Sequence, residues 1–201
     1  MPSAGQVPFV GLTGGIGSGK STALDALEEL GAATLSADVV VHELLGSDEV
    51  RDALATRLGA DVLDGDGAVD RRAVAARIFD RSDDRAWLEG MLWPRVGARI
   101  AEWRAGIDER EPRPSAAVVE VPLLFEAGMD AVFDTTIAVV AQEPLRRGRA
   151  EARGHAAVAE RSARQLSQQE KATRAGHVVR NDGTREELKA ELSRVLATIT
   201  D

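Results

Sequence analysis

The stretch PFVGLTGGIGSGKST, Pro8–Thr22, decides the fold. Pro8 to Thr13 is short, apolar and β-prone, which reads as a buried strand. Four glycines follow within six residues, Gly14, Gly15, Gly17 and Gly19. Then KSTALDALEELG begins, with Leu24, Leu27 and Leu30 at helical spacing and Gly31 as the C-terminal cap. Gly14, Gly19, Lys20 and Ser21 satisfy G-x-x-x-x-G-K-[ST] in a strand–loop–helix context, where that pattern has physical meaning. Glycines let backbone amides close on a ligand, and the helix N-terminus adds its positive end. Residues Gly14, Gly15, Ile16, Gly17, Ser18 and Gly19 therefore form a nest for a phosphate chain. Lys20 supplies a mobile charge for the outer phosphates, Ser21 a hydroxyl for Mg²⁺, and Thr22 a contact to the neighbouring phosphate. The bound anion is expected to be a nucleoside triphosphate tail.

Working outward, the 201-residue chain suits one α/β domain with insertions. Hydrophobic residues make up 44%, enough for a sizeable core, while aromatics at 3% leave the chemistry to charged and backbone groups. There is no Cys, which excludes disulfides, thiolate catalysis and Cys-based metal sites. The three His are scattered, against a His-based zinc site. The N-terminus shows no signal-peptide pattern and no apolar run reaches a membrane span, so a cytoplasmic protein without a membrane partner is expected. A net charge of −8 argues against a nucleic-acid partner. From Arg146 to Arg180, however, nine Lys/Arg face three Glu, a local +6 in a chain whose remainder carries −14. Such a segment is either a solvated helix face or a polyanion site. Oligomeric state is left open, and a monomer is compatible with the sequence.

Further strands are expected at Ala32–Asp38, Ala116–Val121, Thr135–Val140 and, with a turn, His177–Gly183. REELKAELSRVLATI supplies a terminal amphipathic helix. Between Val39 and Arg110 the chain is helix-rich and charged, with breaks at Gly59 and near Gly65–Gly67, and reads as a helical insertion. Strands alternating with helices imply an α/β fold with a mostly parallel five-stranded sheet flanked by helices. The expected division is a nucleotide-binding core of residues 1–38, 111–145 and 175–201, a helical acceptor-binding insertion of 39–110, and a helical lid of 146–174.

No N-K-x-D guanine-reading motif and no L-S-G-G-Q signature is present, so a small-molecule kinase fits better than a GTPase or transporter. Asp38, expected at the carboxyl edge of the sheet, can take the proton of an attacking hydroxyl. It can equally serve as a helix N-cap, since ADVVVHEL resembles a helix start. Glu120 ends the apolar VVE run and is placed to hold Mg²⁺ through water or Ser21. Glu126 is a second candidate contact, and a capping or surface carboxylate is the alternative for both acids. Arg149 and Arg153 share a helix face, and Arg161 and Arg164 follow after GHAAVAE. Together these guanidiniums can grip phosphate oxygens and exclude water as a lid closes.

These segments resemble those of the dephospho-CoA kinase family. Its LTGGIGSGKST loop stands here as Leu12–Thr22, its DAD as Ser36–Asp38, and its PLLFE unchanged as Pro122–Glu126. RSARQLSQQEK, Arg161–Lys171, is similar to RIAAQLSQEEK, and AGHVVRNDG, Ala175–Gly183, to ADHVIDNDG. The resemblance implies a P-loop kinase fold and ATP-dependent, Mg²⁺-assisted phosphorylation of the ribose 3′-hydroxyl of dephospho-CoA, the last step of CoA biosynthesis. It implies that Asp38 is the catalytic base, with Lys20 and the lid residue Arg153 at the transferring phosphoryl. By the same correspondence Arg149 and Asn181 would border the nucleotide. His42, Pro122, Leu123, Glu126 and Arg161 would border the acceptor.

Four positions depart from the family pattern. Ser36 stands where Asp is frequent, His42 where Arg is frequent, Trp93 where LHP has His, and Gly176 where AD has Asp. His42 would weaken a phosphate contact at neutral pH. Trp93 can pack on an adenine or fill the core, and the core is the expectation taken. Two rivals stay open: another small-molecule kinase, such as a nucleoside monophosphate kinase, and a nucleotide-sensing protein with a decayed acceptor pocket.

Overall fold

The computed structural model describes residues 6–152 and 165–200. In chain order its elements are β1 (Phe9–Gly14), α1 (Lys20–Glu29), β2 (Ala33–Ser36), α2 (Ala37–Leu45), α3 (Asp48–Leu58), α4 (Arg71–Ile78), α5 (Ser82–Ala105), β3 (Ala117–Glu120), β4 (Thr135–Val140), α6 (Glu143–Ala152), α7 (Gln168–Arg174), β5 (His177–Arg180) and α8 (Arg185–Thr200).

All six residues of β1 are buried, as an unbroken apolar strand requires when helices cover both faces. β1 pairs in parallel with β3 on one side, where Leu12 lies opposite Glu120, and with β4 on the other, where Leu12 lies opposite Ile137. β2 lies beyond β3 and β5 beyond β4, giving the all-parallel order β2-β3-β1-β4-β5. The chain leaves β1 toward β2 on one side and later crosses from β3 to β4 on the other. That reversal opens a crevice beyond the carboxyl ends of the central strands, where open α/β sheets bind ligands.

α1 and α8 pack together over one face of the sheet. Ala23, Ala26 and Leu27 of α1 and Leu188, Leu192 and Leu196 of α8 close on Val10, Leu12, Val118, Ile137, Val139 and Val179. The spacing of four on α8 is what places its leucines on one stripe. α1 ends as its sequence indicates: Gly31 has φ 86 and its N–H donates to Glu28 O, while Ala32 N–H donates to Leu27 O. On the opposite face α7 lies against β1 and β4. There Gly11 leaves room for Leu124, whose Cδ1 would come within 2.5 Å of an added Cβ.

The described chain divides into two compact units. One comprises the sheet with its flanking helices, up to Ser36 and again from Trp103 onward. The other, Ala37–Glu102, has its own core of Leu45, Val50, Leu54, Leu58, Val62, Val74, Leu88 and Leu92. Its breaks fall where glycine was expected to make them, with Gly59 closing α3 and Gly67 turning at φ 78. Within it, the buried Asp84 accepts from Arg57 at 2.9 Å and from Arg81 at 3.5 Å.

One expectation needs correction. β2 stops at Ser36, not at Asp38, and Asp38 lies in the first turn of α2. Val40, Val41, Leu44 and Leu45 recur at helical spacing, and an acid in the first turn is favoured by the helix dipole. The helix therefore captures residues that a strand reading would claim.

Candidate active site

The glycine loop joins β1 to α1 at the crevice. Because α1 starts at Lys20, the N–H groups of its first turn have no partner within the helix and point toward the loop. Gly19, the residue before it, has φ 94, and an added Cβ would lie 2.0 Å from Asn181 Nδ2. The loop is braced from outside. Asn181 Nδ2 donates to Ser18 O at 2.8 Å, Arg146 Nε donates to Ile16 O at 3.1 Å, and Arg149 Nη1 donates to Asn181 O at 3.0 Å. Lys20 Nζ folds back to Gly15 O at 3.3 Å. Three of these bonds hold loop carbonyls, those of Gly15, Ile16 and Ser18. Ser18 Oγ is buried with no hydrogen-bond partner among the described residues. A cleft of about 260 Å³ opens beside the loop, lined by Gly17, Thr22, Arg149, Asn181 and Arg185 among others.

Glu120 ends β3, is 6% exposed, and accepts from Ser36 Oγ at 3.1 Å. The register of β2 on β3 sets Ser36 opposite Glu120. The departure from Asp at residue 36 therefore replaces a second carboxylate with a donor. The residues suit Mg²⁺, which binds through few protein groups and keeps water and phosphate oxygens. Ser21 and Glu120 provide one hydroxyl and one acid. Among the described residues no group of three or more His, Asp or Glu is placed to hold a metal alone.

Pro122 to Glu126 form turns just beyond β3. Glu126 pairs with Lys171 at 2.9 Å and accepts from Leu166 N–H at 2.8 Å. Asp38 is exposed in α2, and His42 lies one turn further on the same helix. His42 Nδ1 stands 3.4 Å from Arg71 Nη1. A guanidinium has no acceptor, so the ring nitrogen is the accepting partner. Trp93 is 43% exposed, which overturns its expected place in the core. Its helix buries Leu88, Leu92, Val96 and Ile100, a stripe spaced by four that leaves residue 93 on another face. Arg153, Arg161 and Arg164 lie outside the described residues.

Sequence reasoning missed two side chains that hold the site. Arg146 was visible only as the start of a cationic run. Its three-residue spacing from Arg149, which puts both on one face of α6, was the available signal. Lys171 is fully buried, and nothing local distinguishes it from a surface lysine.

The comparisons with known proteins agree with this architecture. A family model described as dephospho-CoA kinase matches residues 8–187. A dephospho-CoA kinase of Moorella thermoacetica is 38% identical over 192 residues, covering 94% of this chain and 89% of that one. A crystal structure from Thermus thermophilus superposes with a TM-score of 0.82 at 31% identity, covering 98% of this chain and 100% of that one. The dephospho-CoA kinase from Campylobacter jejuni, at 24% identity and a TM-score of 0.63 over 94% of this chain and 96% of its own, shares the fold. With a braced phosphate loop at the switch point of a parallel sheet and a family match along almost its whole length, the chain belongs to the dephospho-CoA kinase family.

Proposed function

We propose that the protein transfers the γ-phosphoryl group of ATP to the ribose 3′-hydroxyl of dephospho-CoA, releasing CoA and ADP. The observation that carries this reading is the family match over residues 8–187 on a chain whose glycine loop is built for a phosphate tail. In this reading the amides of Gly14–Thr22 receive the outer phosphates, and Arg149 and Asn181 border the nucleotide. Ser21 and Glu120 hold Mg²⁺, which when bound would neutralise phosphate charge.

Asp38 orients the 3′-hydroxyl and takes its proton as the oxygen bonds to the γ-phosphorus and the bond to the β-phosphate oxygen breaks. Lys20 and Arg153 offset the charge on the transferring group. His42, Pro122, Leu123 and Arg161 border the acceptor, with Glu126 shaping that border from within the fold through Lys171, residues 39–110 supply most of its binding surface, and residues 146–174 close over the phosphates. The partners are then small molecules, without nucleic acid or membrane, acting in the cytoplasm. Among the described residues no helix is long and apolar enough to cross a membrane.

The test is ADP release measured with and without dephospho-CoA, repeated with Asp38→Asn. Acceptor-dependent release is expected from the wild type. The variant should bind ATP as the wild type does yet lose turnover by about two orders of magnitude or more, the contribution of general-base catalysis. Near wild-type turnover in Asp38→Asn would remove Asp38 as the base. Acceptor-independent release alone would remove the kinase reading.

A further inference from the structure

Among the described residues Lys171 is the largest side chain with no exposed surface at all. Lysine stems usually run to water and leave the amine there, so a wholly buried one needs compensation on every side. Lys171 Nζ donates to Pro122 O at 2.7 Å, approaches Glu126 Oε1 at 2.9 Å and Oε2 at 3.1 Å, and lies 3.5 Å from Thr13 Oγ1. Thr13 Oγ1 in turn donates to Pro122 O at 3.4 Å. Three stretches distant in sequence meet at one nitrogen: the last residue before the glycine loop, the turns beyond β3, and α7.

An apolar pair would fill such a position at no cost in stability, since replacing a buried ion pair by well-packed hydrophobic residues is often neutral or better. What an apolar pair cannot do is fix the direction of Pro122 O and of the Glu126 carboxylate. The glycine loop has separate braces in Asn181, Arg146 and Lys20. The Pro122–Glu126 turns have Lys171 and Thr13 as their side-chain tethers from outside the segment in the first unit. Both oxygens of Glu126 are engaged, by Lys171 and by Leu166 N–H, so its carboxylate acts on the fold and not on a ligand.

We infer that Lys171 and Glu126 are a positioning pair for the acceptor side of the reaction. The pair aligns the turns beyond β3 with the end of β1 without touching substrate. The inference rests on the phosphotransfer reading above and deepens it.

The experiment compares wild type, Lys171→Met, Glu126→Gln and the double variant Lys171→Met/Glu126→Leu. Melting temperature, equilibrium ATP binding, and kcat and KM for dephospho-CoA are measured for each. The double variant is expected to melt at or above the wild-type temperature. In all three variants kcat/KM for dephospho-CoA should fall about tenfold or more, as misplacement by an ångström produces. ATP affinity should stay within about threefold, because the loop keeps its own braces. A double variant that regains both melting temperature and acceptor kcat/KM would make the pair purely structural and overturn the inference. So would ATP affinity falling in step with turnover. Should Lys171→Met not fold, the double variant decides alone. Wild-type turnover of dephospho-CoA tests the reaction itself, and only the ratio of variant to wild type tests the pair.

Discussion

Gly19 shows how little freedom the loop has at single residues. Its φ of 94 is costly for any side chain, and the space beside it is filled by Asn181. Gly19→Ala should weaken ATP binding about tenfold or more, from about 1–3 kcal/mol of backbone strain plus displacement of Asn181. Equilibrium titration with ATP measures it, and an unchanged affinity would show that the loop tolerates the shift. Ser36 is a second such residue. Removing its hydroxyl deprives the Glu120 carboxylate of a donor inside the sheet. Ser36→Ala should lower the unfolding free energy in urea by about 1.5–3 kcal/mol, the range for a hydrogen bond to a charged group. At this scale the sequence was legible where a residue's role is local. Lys20 and the glycines lie in one motif and say what they do. Lys171 and Arg146 do not, because their roles depend on Pro122 and Glu126, and on Ile16, which only the sheet topology brings near.

Among the elements, α1 was readable at both ends. Its glycine loop opens it and Gly31 closes it, with Gly31 N–H donating to Glu28 O and Ala32 N–H to Leu27 O. Gly31→Ala should destabilise the protein by about 1–2 kcal/mol, the cost of a left-handed conformation for a residue with a Cβ. Urea unfolding monitored by circular dichroism measures this. α5 was much less readable. Gly90, Pro94 and Gly97 each argue locally against a continuous helix, yet it runs unbroken from Ser82 to Ala105. Leu88, Leu92, Val96 and Ile100 form its buried stripe, and tertiary packing outweighs the local preferences. The end of β2 was misjudged for a related reason. The helical spacing of Ala37, Val40, Val41 and Leu44 begins within the stretch that also reads as a strand, so the boundary depended on which periodicity won.

For the whole molecule, Glu29 ties the first helix to the last. Its carboxylate accepts from Lys189 Nζ at 2.8 Å and from Arg185. The hydrogen bond from Lys189, then that from Arg185, hold its pKa down to about 2 from an ordinary 4.5. A carboxyl depressed on folding contributes stability above its unfolded pKa and loses it as pH falls. The clasp is therefore complete above about pH 4.5 and fades toward pH 2. Glu29→Gln should be less stable than wild type at neutral pH, and the gap should close as acid is added through that window. Urea midpoints at pH 7, 4 and 2.5 would show it. A gap constant with pH would mean the carboxylate contributes nothing through its charge.

The strand order has a consequence for how the chain is made. β1 and β2 leave the ribosome before the other strands, but neither pairs with the other: β1 joins β3 and β4, and β2 joins β3. The sheet waits for residues beyond 117, whereas Ala37–Glu102 is contiguous and carries its own core. A truncated chain released after residue 110 should already protect the amides of α3 and α4 from hydrogen exchange while those of β1 exchange freely. Competence to grip a nucleotide then arrives late in translation, after the inserted helices have folded, and an unfinished chain holds no triphosphate.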